Sequence, residues 1–159
     1  MHVEFMQRAL ELADKAASYN EVPVGAVVVN KDNQIVGEGY NQNIINNDPC
    51  AHAEILALKE AANNVKNHRL IGCKLYVTLE PCMMCLGAII HARIDTVIYA
   101  ASDSKTGCFG GKINLNDSQF GWNHNVNIVP GIMGNESSKK LKEFFRELRA
   151  RKKMVMIKT

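Results

Sequence analysis

Two short segments constrain this chain more than any other feature: His52-Ala53-Glu54 and Pro81-Cys82-Met83-Met84-Cys85. Each stands where an irregular stretch gives way to a helical pattern, so a fold that uses them together must bring two helix starts to one place. Residues three apart in a first helical turn point to the same side, so Cys82 and Cys85 can reach one ion. Both thiols sit at the positive end of a helix dipole, which favours thiolates. With His52 they form a three-ligand set, and a catalytic zinc takes three protein ligands and keeps its fourth position for water. Two thiolates also balance the charge of Zn²⁺. Glu54 has no use in a purely structural site. Beside a metal that activates water, a carboxylate can carry protons, so Glu54 is predicted to be a proton shuttle and not a ligand. Two rival readings of the C-x-x-C pair stand beside this one. A structural zinc wants four protein ligands, with Cys50 as the only nearby fourth. A redox pair leaves His52 and Glu54 without a purpose.

The pattern around these segments predicts a single α/β domain spanning 1–159. Apolar residues recur at helical spacing from Val3 to Tyr19. Val22 to Val29 and Gln34 to Tyr40 read as strands joined by the turn Lys31-Asp32-Asn33, which makes a hairpin. A helix follows from His52 to Val65, then a strand from Cys73 to Leu79 that ends at Glu80-Pro81. Next come a helix from Cys82 to Arg93, a strand from Thr96 to Ala100 and a short strand from Val126 to Val129. A last helix is expected over about 135–152. Strands joined through helices tend to lie parallel. The expected architecture is therefore a three-layer α/β/α domain with a mixed sheet of about five strands.

Bulk properties narrow the class. At 159 residues and 47% apolar the chain can bury one core. Five cysteines, an odd number, and an N-terminus with Glu4 and no continuous apolar stretch argue against a secreted disulfide framework. No apolar run reaches the length of a membrane helix. A cytoplasmic protein is expected. The net charge of +3 conceals an asymmetry: Lys139 to Lys153 holds eight Lys and Arg against two Glu, and the rest of the chain is net negative. A basic C-terminal helix on an acidic body suits an anionic partner at one end, or simply a solvated face.

H-x-E followed by P-C-x-x-C is the signature of zinc deaminases that act on nucleobases, and at these residues the chain resembles the cytidine deaminase superfamily. It is similar over nearly its full length to the bacterial tRNA adenosine deaminases of that superfamily. The matching segments are Glu21 to Ala26, Gly39-Tyr40-Asn41, Asp48 to Glu54 and Leu75 to Cys85, then Asp103 to Gly107, Asn123-His124 and Phe144-Phe145-Arg146. Cys50, the stretch Cys108 to Asn116 and Trp122 depart from the commoner family pattern.

The resemblance implies a cytidine-deaminase-like fold, one Zn²⁺ per subunit and hydrolytic conversion of adenosine to inosine at the wobble position of a tRNA anticodon. In bacterial members the substrate is an arginine tRNA. Attack by zinc-activated water at C6 of adenine is implied, with Glu54 protonating N1 and then the leaving ammonia. The Ala53 N–H is expected to hold the forming oxygen, Asn41 to bond the base edge, and Val22 and Leu79 to wall the pocket. Asp103, Lys105 and Asn123 are expected to meet flanking nucleotides, with turn formation as their plainer role. Phe145 is a candidate for base stacking, although core packing is the commoner fate of Phe144 and Phe145. Arg146 and Arg149 share a helix face and would meet phosphates. A homodimer is implied, with an apolar patch around Leu86 to His91 as part of its interface. The alternatives are a guanine, cytosine or nucleotide deaminase using the same zinc set, and a non-catalytic zinc-stabilised RNA-binding module.

Overall fold

A computed structural model describes residues 1–158 of the chain. Its element order is α1 (His2–Ser18), β1 (Gly25–Val29), β2 (Ile35–Tyr40), α2 (Ala53–Val65), β3 (Lys74–Leu79), α3 (Met83–Ala92), β4 (Thr96–Ala101), β5 (Asn127–Pro130) and α4 (Gly134–Lys158). The five strands form one sheet in the order β2-β1-β3-β4-β5. The hairpin pairs β1 antiparallel to β2, and β1 is antiparallel to β3. Beyond β3 each strand is reached through a crossover, and β3, β4 and β5 run parallel.

Helices cover both faces. Met6, Ala9, Leu10 and Leu12 of α1 pack against Val27, Val29, Tyr76, Ile98 and Ala100 on one side of the sheet, where α4 lies against β4. On the other side Ala57, Leu58 and Ala61 of α2 and Leu86 and Ile89 of α3 meet Ala26, Val28, Leu75, Val77 and Val97. Every residue of β1 (GAVVV) is buried, the mark of a strand covered on both faces. The sequence expectation of a three-layer α/β/α domain with a mixed five-stranded sheet therefore holds.

Two differences have local causes. The segment before β1 is irregular through Val24 rather than extended from Val22. Pro23 has no amide to give, and the Val24 amide turns back to the Val22 carbonyl oxygen at 2.8 Å instead of to a sheet partner. The final helix runs to Lys158, beyond the apolar stripe, because nothing in Arg149 to Lys158 breaks a helix.

One close approach sets the depth of the site. At Gly39 on β2 an added Cβ would lie 2.3 Å from the Ala53 carbonyl oxygen and 2.7 Å from the Ala57 amide nitrogen. The first turn of α2 therefore rests on the bare backbone of β2, which only glycine allows.

Candidate active site

Strands β2 and β3 run in the same direction, since both are antiparallel to β1. The helices that follow them, α2 and α3, therefore begin at the same edge of the sheet. His52 is the N-cap of α2 and Cys82 the N-cap of α3, both with extended backbone and neither using its side chain as a cap. The side chains are thereby left to meet each other. His52 Nδ1 lies 3.6 Å from Cys82 Sγ and 3.5 Å from Cys85 Sγ, and the three ligand atoms fall within 4.8 Å of one another. Tetrahedral zinc with bonds of about 2.3 Å to sulfur and about 2.0–2.1 Å to nitrogen requires sulfur–nitrogen spacings of about 3.6 Å. The donor set fits that ion in both chemistry and span.

The electrostatics agree. The two sulfurs are within hydrogen-bonding reach of each other, so one proton can serve both. A hydrogen bond from Cys85, with help from His52, brings Cys82 down to about 4. Sharing with Cys82, then burial, pushes Cys85 well up. The bond to Cys82 also raises His52. Such a proton is what a divalent cation displaces on binding. Glu54 stands in the first turn of α2, 4% exposed. Burial pushes its carboxyl upward, against hydrogen bonds from its own backbone amide and from Cys85.

These groups line a cavity of about 220 Å³. His52, Glu54 and Cys82 are at one side, Asn41 and Asn43 at another, and Val22, Val24 and Leu79 form apolar walls. Glu80, Asp103 and Thr106 complete it. That volume lies below the range for drug-sized ligands and suits one flat ring system. Val22, Leu79, Asp103 and Thr106 also border a wider groove of about 530 Å³ that continues past Ser104 and Lys105 to Leu141, Lys142 and Phe145 of α4. The small cavity thus opens into a trough floored by a basic helix.

The structure brings most of the sequence candidates together, but not all in the expected roles. The Ala53 N–H, expected to hold the forming oxygen, donates here to Asn41 Oδ1 at 2.8 Å, and both residues are buried. That bond caps α2 from a residue outside the helix and fixes the amide of Asn41. Its oxygen is committed, so its NH₂ is the end available to a base edge. Asp103 serves turn formation. Its carboxylate accepts the Lys105 and Thr106 amides and the Thr106 hydroxyl.

Phe144 is buried at 6% and Phe145 is 39% exposed, edge-on to it, so one ring packs inside and the other faces the groove. Arg146 and Arg149 lie on α4 beyond the groove, Arg146 exposed and Arg149 exposed. Asn123 is not at the cavity. It borders a separate apolar groove of about 560 Å³ along α3, with Met83, Met84, Ile90, His91 and Trp122. His124 is structural, bonding the Ile94 carbonyl oxygen at 2.6 Å through Nε2. Sequence reasoning passed over Glu80, read only as a strand end, and Glu21. Both are buried acids beside wall residues, and an acid abutting an apolar strand was the available signal.

Comparison with known proteins places this geometry. Residues 1–101 match the family model of the cytidine and deoxycytidylate deaminase zinc-binding region. The chain is 48% identical to the tRNA-specific adenosine deaminase of Haemophilus influenzae, over 95% of this chain and 87% of that protein. A solved structure from work on A-to-I editing by tRNA:A34 deaminases at the wobble position of transfer RNA superposes with a TM-score of 0.81. That chain is 38% identical, and the match covers 87% of this chain and 99% of that one. The guanine deaminase of Bacillus subtilis superposes with a TM-score of 0.61 at 42% identity, over 64% of this chain and 65% of that one.

Proposed function

Because the chain belongs to the cytidine and deoxycytidylate deaminase family and, within it, to the tRNA-specific adenosine deaminases, we propose that it converts adenosine to inosine in tRNA by zinc-dependent hydrolysis, at the wobble position of the anticodon. The observation that carries this reading is the union of a base-sized cavity holding the His52, Cys82, Cys85 and Glu54 set with a trough lined by Lys105, Lys142 and Phe145. A small-molecule deaminase has no use for the trough. A binding module has no use for a buried Glu54 beside an open ligand set.

His52, Cys82 and Cys85 hold one zinc per chain. Zinc supplies Lewis acidity that makes water nucleophilic near neutral pH. Glu54 moves the protons. It takes one from the incoming water and passes it to N1 of the ring, then takes the second hydroxyl proton and passes it to the amine. The C6–N bond breaks, and water plus adenosine leave as inosine plus ammonia. Burial of Glu54 keeps bulk water from competing for those protons. Asn41 presents its NH₂ to an acceptor on the base, and Val22 and Leu79 clamp the ring faces.

Presenting the base this way requires it to leave the anticodon stack, which a single-stranded loop permits at low cost. Flanking nucleotides then run through the trough. Lys105 meets a phosphate or sugar there, the segment that Asp103 shapes supports a neighbouring base, and Phe145 offers a ring for stacking. Arg146 and Arg149 meet phosphates further along. The chain acts as a homodimer through the apolar groove along α3 that includes Leu86, Gly87, Ile90 and His91 of the expected patch. Asn123, which borders that groove, then serves the RNA bound at the partner's cavity. The substrate is an arginine tRNA and the compartment the cytoplasm. No helix among the described residues is long and apolar enough to cross a membrane.

The test is to incubate zinc-loaded protein with an anticodon stem-loop carrying adenosine at the wobble position, and separately with free adenosine, guanine and cytosine. Inosine from the stem-loop alone supports the reading. Ammonia from a free base with an untouched stem-loop moves the chain to the small-molecule branch.

A further inference from the structure

Two buried carboxylates take no part in the proton transfers above. Glu21 and Glu80 are each 2% exposed, and neither forms an ion pair among the described residues. A buried carboxylate is costly unless donors surround it. Here the donors are backbone amides, and all of them come from the loops that rim the cavity.

Glu21 stands immediately before the wall residue Val22. Its Oε1 accepts the Ile44 amide at 3.1 Å and its Oε2 the Ile45 amide at 2.8 Å. These amides lie in the loop whose Asn43 lines the cavity. Glu80 stands immediately after the other wall residue, Leu79. Its Oε1 accepts the Asp103 amide at 2.9 Å, and its Oε2 accepts the Phe109 and Gly111 amides, both at 2.9 Å. These bonds gather the segment 103–111 into a cup around one carboxyl group. At two positions the cup leaves no room for a side chain. A Cβ at Gly107 would lie 2.4 Å from Glu80 Cδ, and one at Gly111 2.4 Å from Glu80 Oε1. The same segment supplies Asp103 and Thr106 to the cavity and Ser104 and Lys105 to the trough.

The two acids therefore stand in equivalent places. Each is back to back with an apolar wall, and each holds by charge-assisted bonds the loop that forms the adjoining rim. An apolar core residue could fill either site, but it would leave those backbone amides without their acceptors and the loops without a fixed shape. We infer that Glu21 and Glu80 are positioning residues for substrate, setting the shape of the mouth that receives the nucleotides flanking the target base. This rests on the RNA reading of the trough.

The experiment replaces each acid by its amide. In Glu80→Gln one oxygen becomes an NH₂ facing a backbone N–H, so at least one of the bonds to the cup is broken. The expected result is a KM for the wobble-adenosine stem-loop raised about tenfold, the loss of one hydrogen bond to a charged group. The kcat should change by less than about threefold, and zinc content should match the wild type. Glu21→Gln should behave in the same way. Gly111→Ala displaces the cup while leaving the carboxylate in place and should raise KM too. Its effect should not add to that of Glu80→Gln, since both disturb the same cup.

A zinc-loaded, folded Glu80→Gln with wild-type KM overturns the inference. So does a loss of kcat that follows loss of zinc, which would make Glu80 part of the α3 scaffold only. If wild-type protein leaves the stem-loop untouched, the proposed function fails separately. Hydrogen exchange then decides the positioning role. Faster exchange of the Asp103, Phe109 and Gly111 amides in Glu80→Gln supports it, and unchanged exchange overturns it.

Discussion

Asn41 does two things at once, and two substitutions separate them. Its oxygen accepts the buried Ala53 N–H at 2.8 Å, and its NH₂ is the end left for the base. Asn41→Ala strands that N–H in a buried position, which costs about 1–3 kcal/mol. For a chain of this length each kcal/mol lowers the melting temperature by about 2–4 °C, so a drop of about 2–12 °C is expected. Asn41→Asp keeps an acceptor for Ala53. It also sets a negative charge at a helix N-terminus, worth about 0.3–1 kcal/mol in isolation, but Glu54 lines the same cavity and offsets part of that gain. Its melting temperature should stay within about 2 °C of wild type. Activity should diverge from stability. Asn41→Asp turns a donor into an acceptor facing the base and should lose about 10²-fold in kcat/KM, since a site built for one pattern strongly rejects the other. Calorimetry must be run at one fixed excess of zinc, because bound ligand shifts the midpoint. If Asn41→Ala melts within about 1 °C of wild type, or Asn41→Asp turns over normally, the split role assigned to Asn41 is wrong.

Three further outcomes follow from the geometry. Glu54→Gln should lose at least about 10²-fold in kcat while keeping its zinc by elemental analysis, the low end for a general acid–base group. Replacing Arg146 and Arg149 by Ala should weaken stem-loop binding and flatten its salt dependence by about 0.7 in log–log slope for each phosphate no longer neutralised, read from Kd across a salt series. On the far side of the sheet Arg8 donates to Glu38 at 2.5 and 3.0 Å and holds the Glu38 carboxyl below its ordinary value. A depressed carboxyl stabilises the fold above its unfolded value and stops doing so as pH falls through the folded one. The stability gap between wild type and Glu38→Gln, under about 1 kcal/mol for so exposed a pair, should therefore be present near neutral pH and shrink as pH falls below the ordinary carboxylate range in urea titrations.

The elements and the metal set were legible because both rest on local spacing. Helical and alternating periods report which face is buried, and a three-residue separation at a helix start places Cys82 and Cys85 on one side. What was not legible depends on pairs distant in sequence. Nothing in Ala53 announces that its amide is taken by Asn41 at the end of a strand. Glu21 and Glu80 look like surface acids until the 44–45 and 103–111 backbones close on them. Asn123 follows a stretch with few periodic cues, where the structure holds a short bridge between Phe109 and Asn114 and a 3₁₀ turn at Ser118–Phe120. A lone motif residue there could be assigned a role but not a location.

Replacing strand glycines by alanine is a familiar route to thermal hardening, since it narrows the unfolded ensemble. Gly39 is closed to that route. A methyl group there would sit 2.3 Å from the Ala53 oxygen, where ordinary van der Waals separation begins at 3.4 Å, so α2 would have to lift by about an ångström. His52 and Glu54 would travel with it while Cys82 and Cys85 stayed behind on α3. Anyone reshaping this cavity for a different base should leave position 39 untouched and vary Val22 and Leu79, which border the space without deciding where either helix begins.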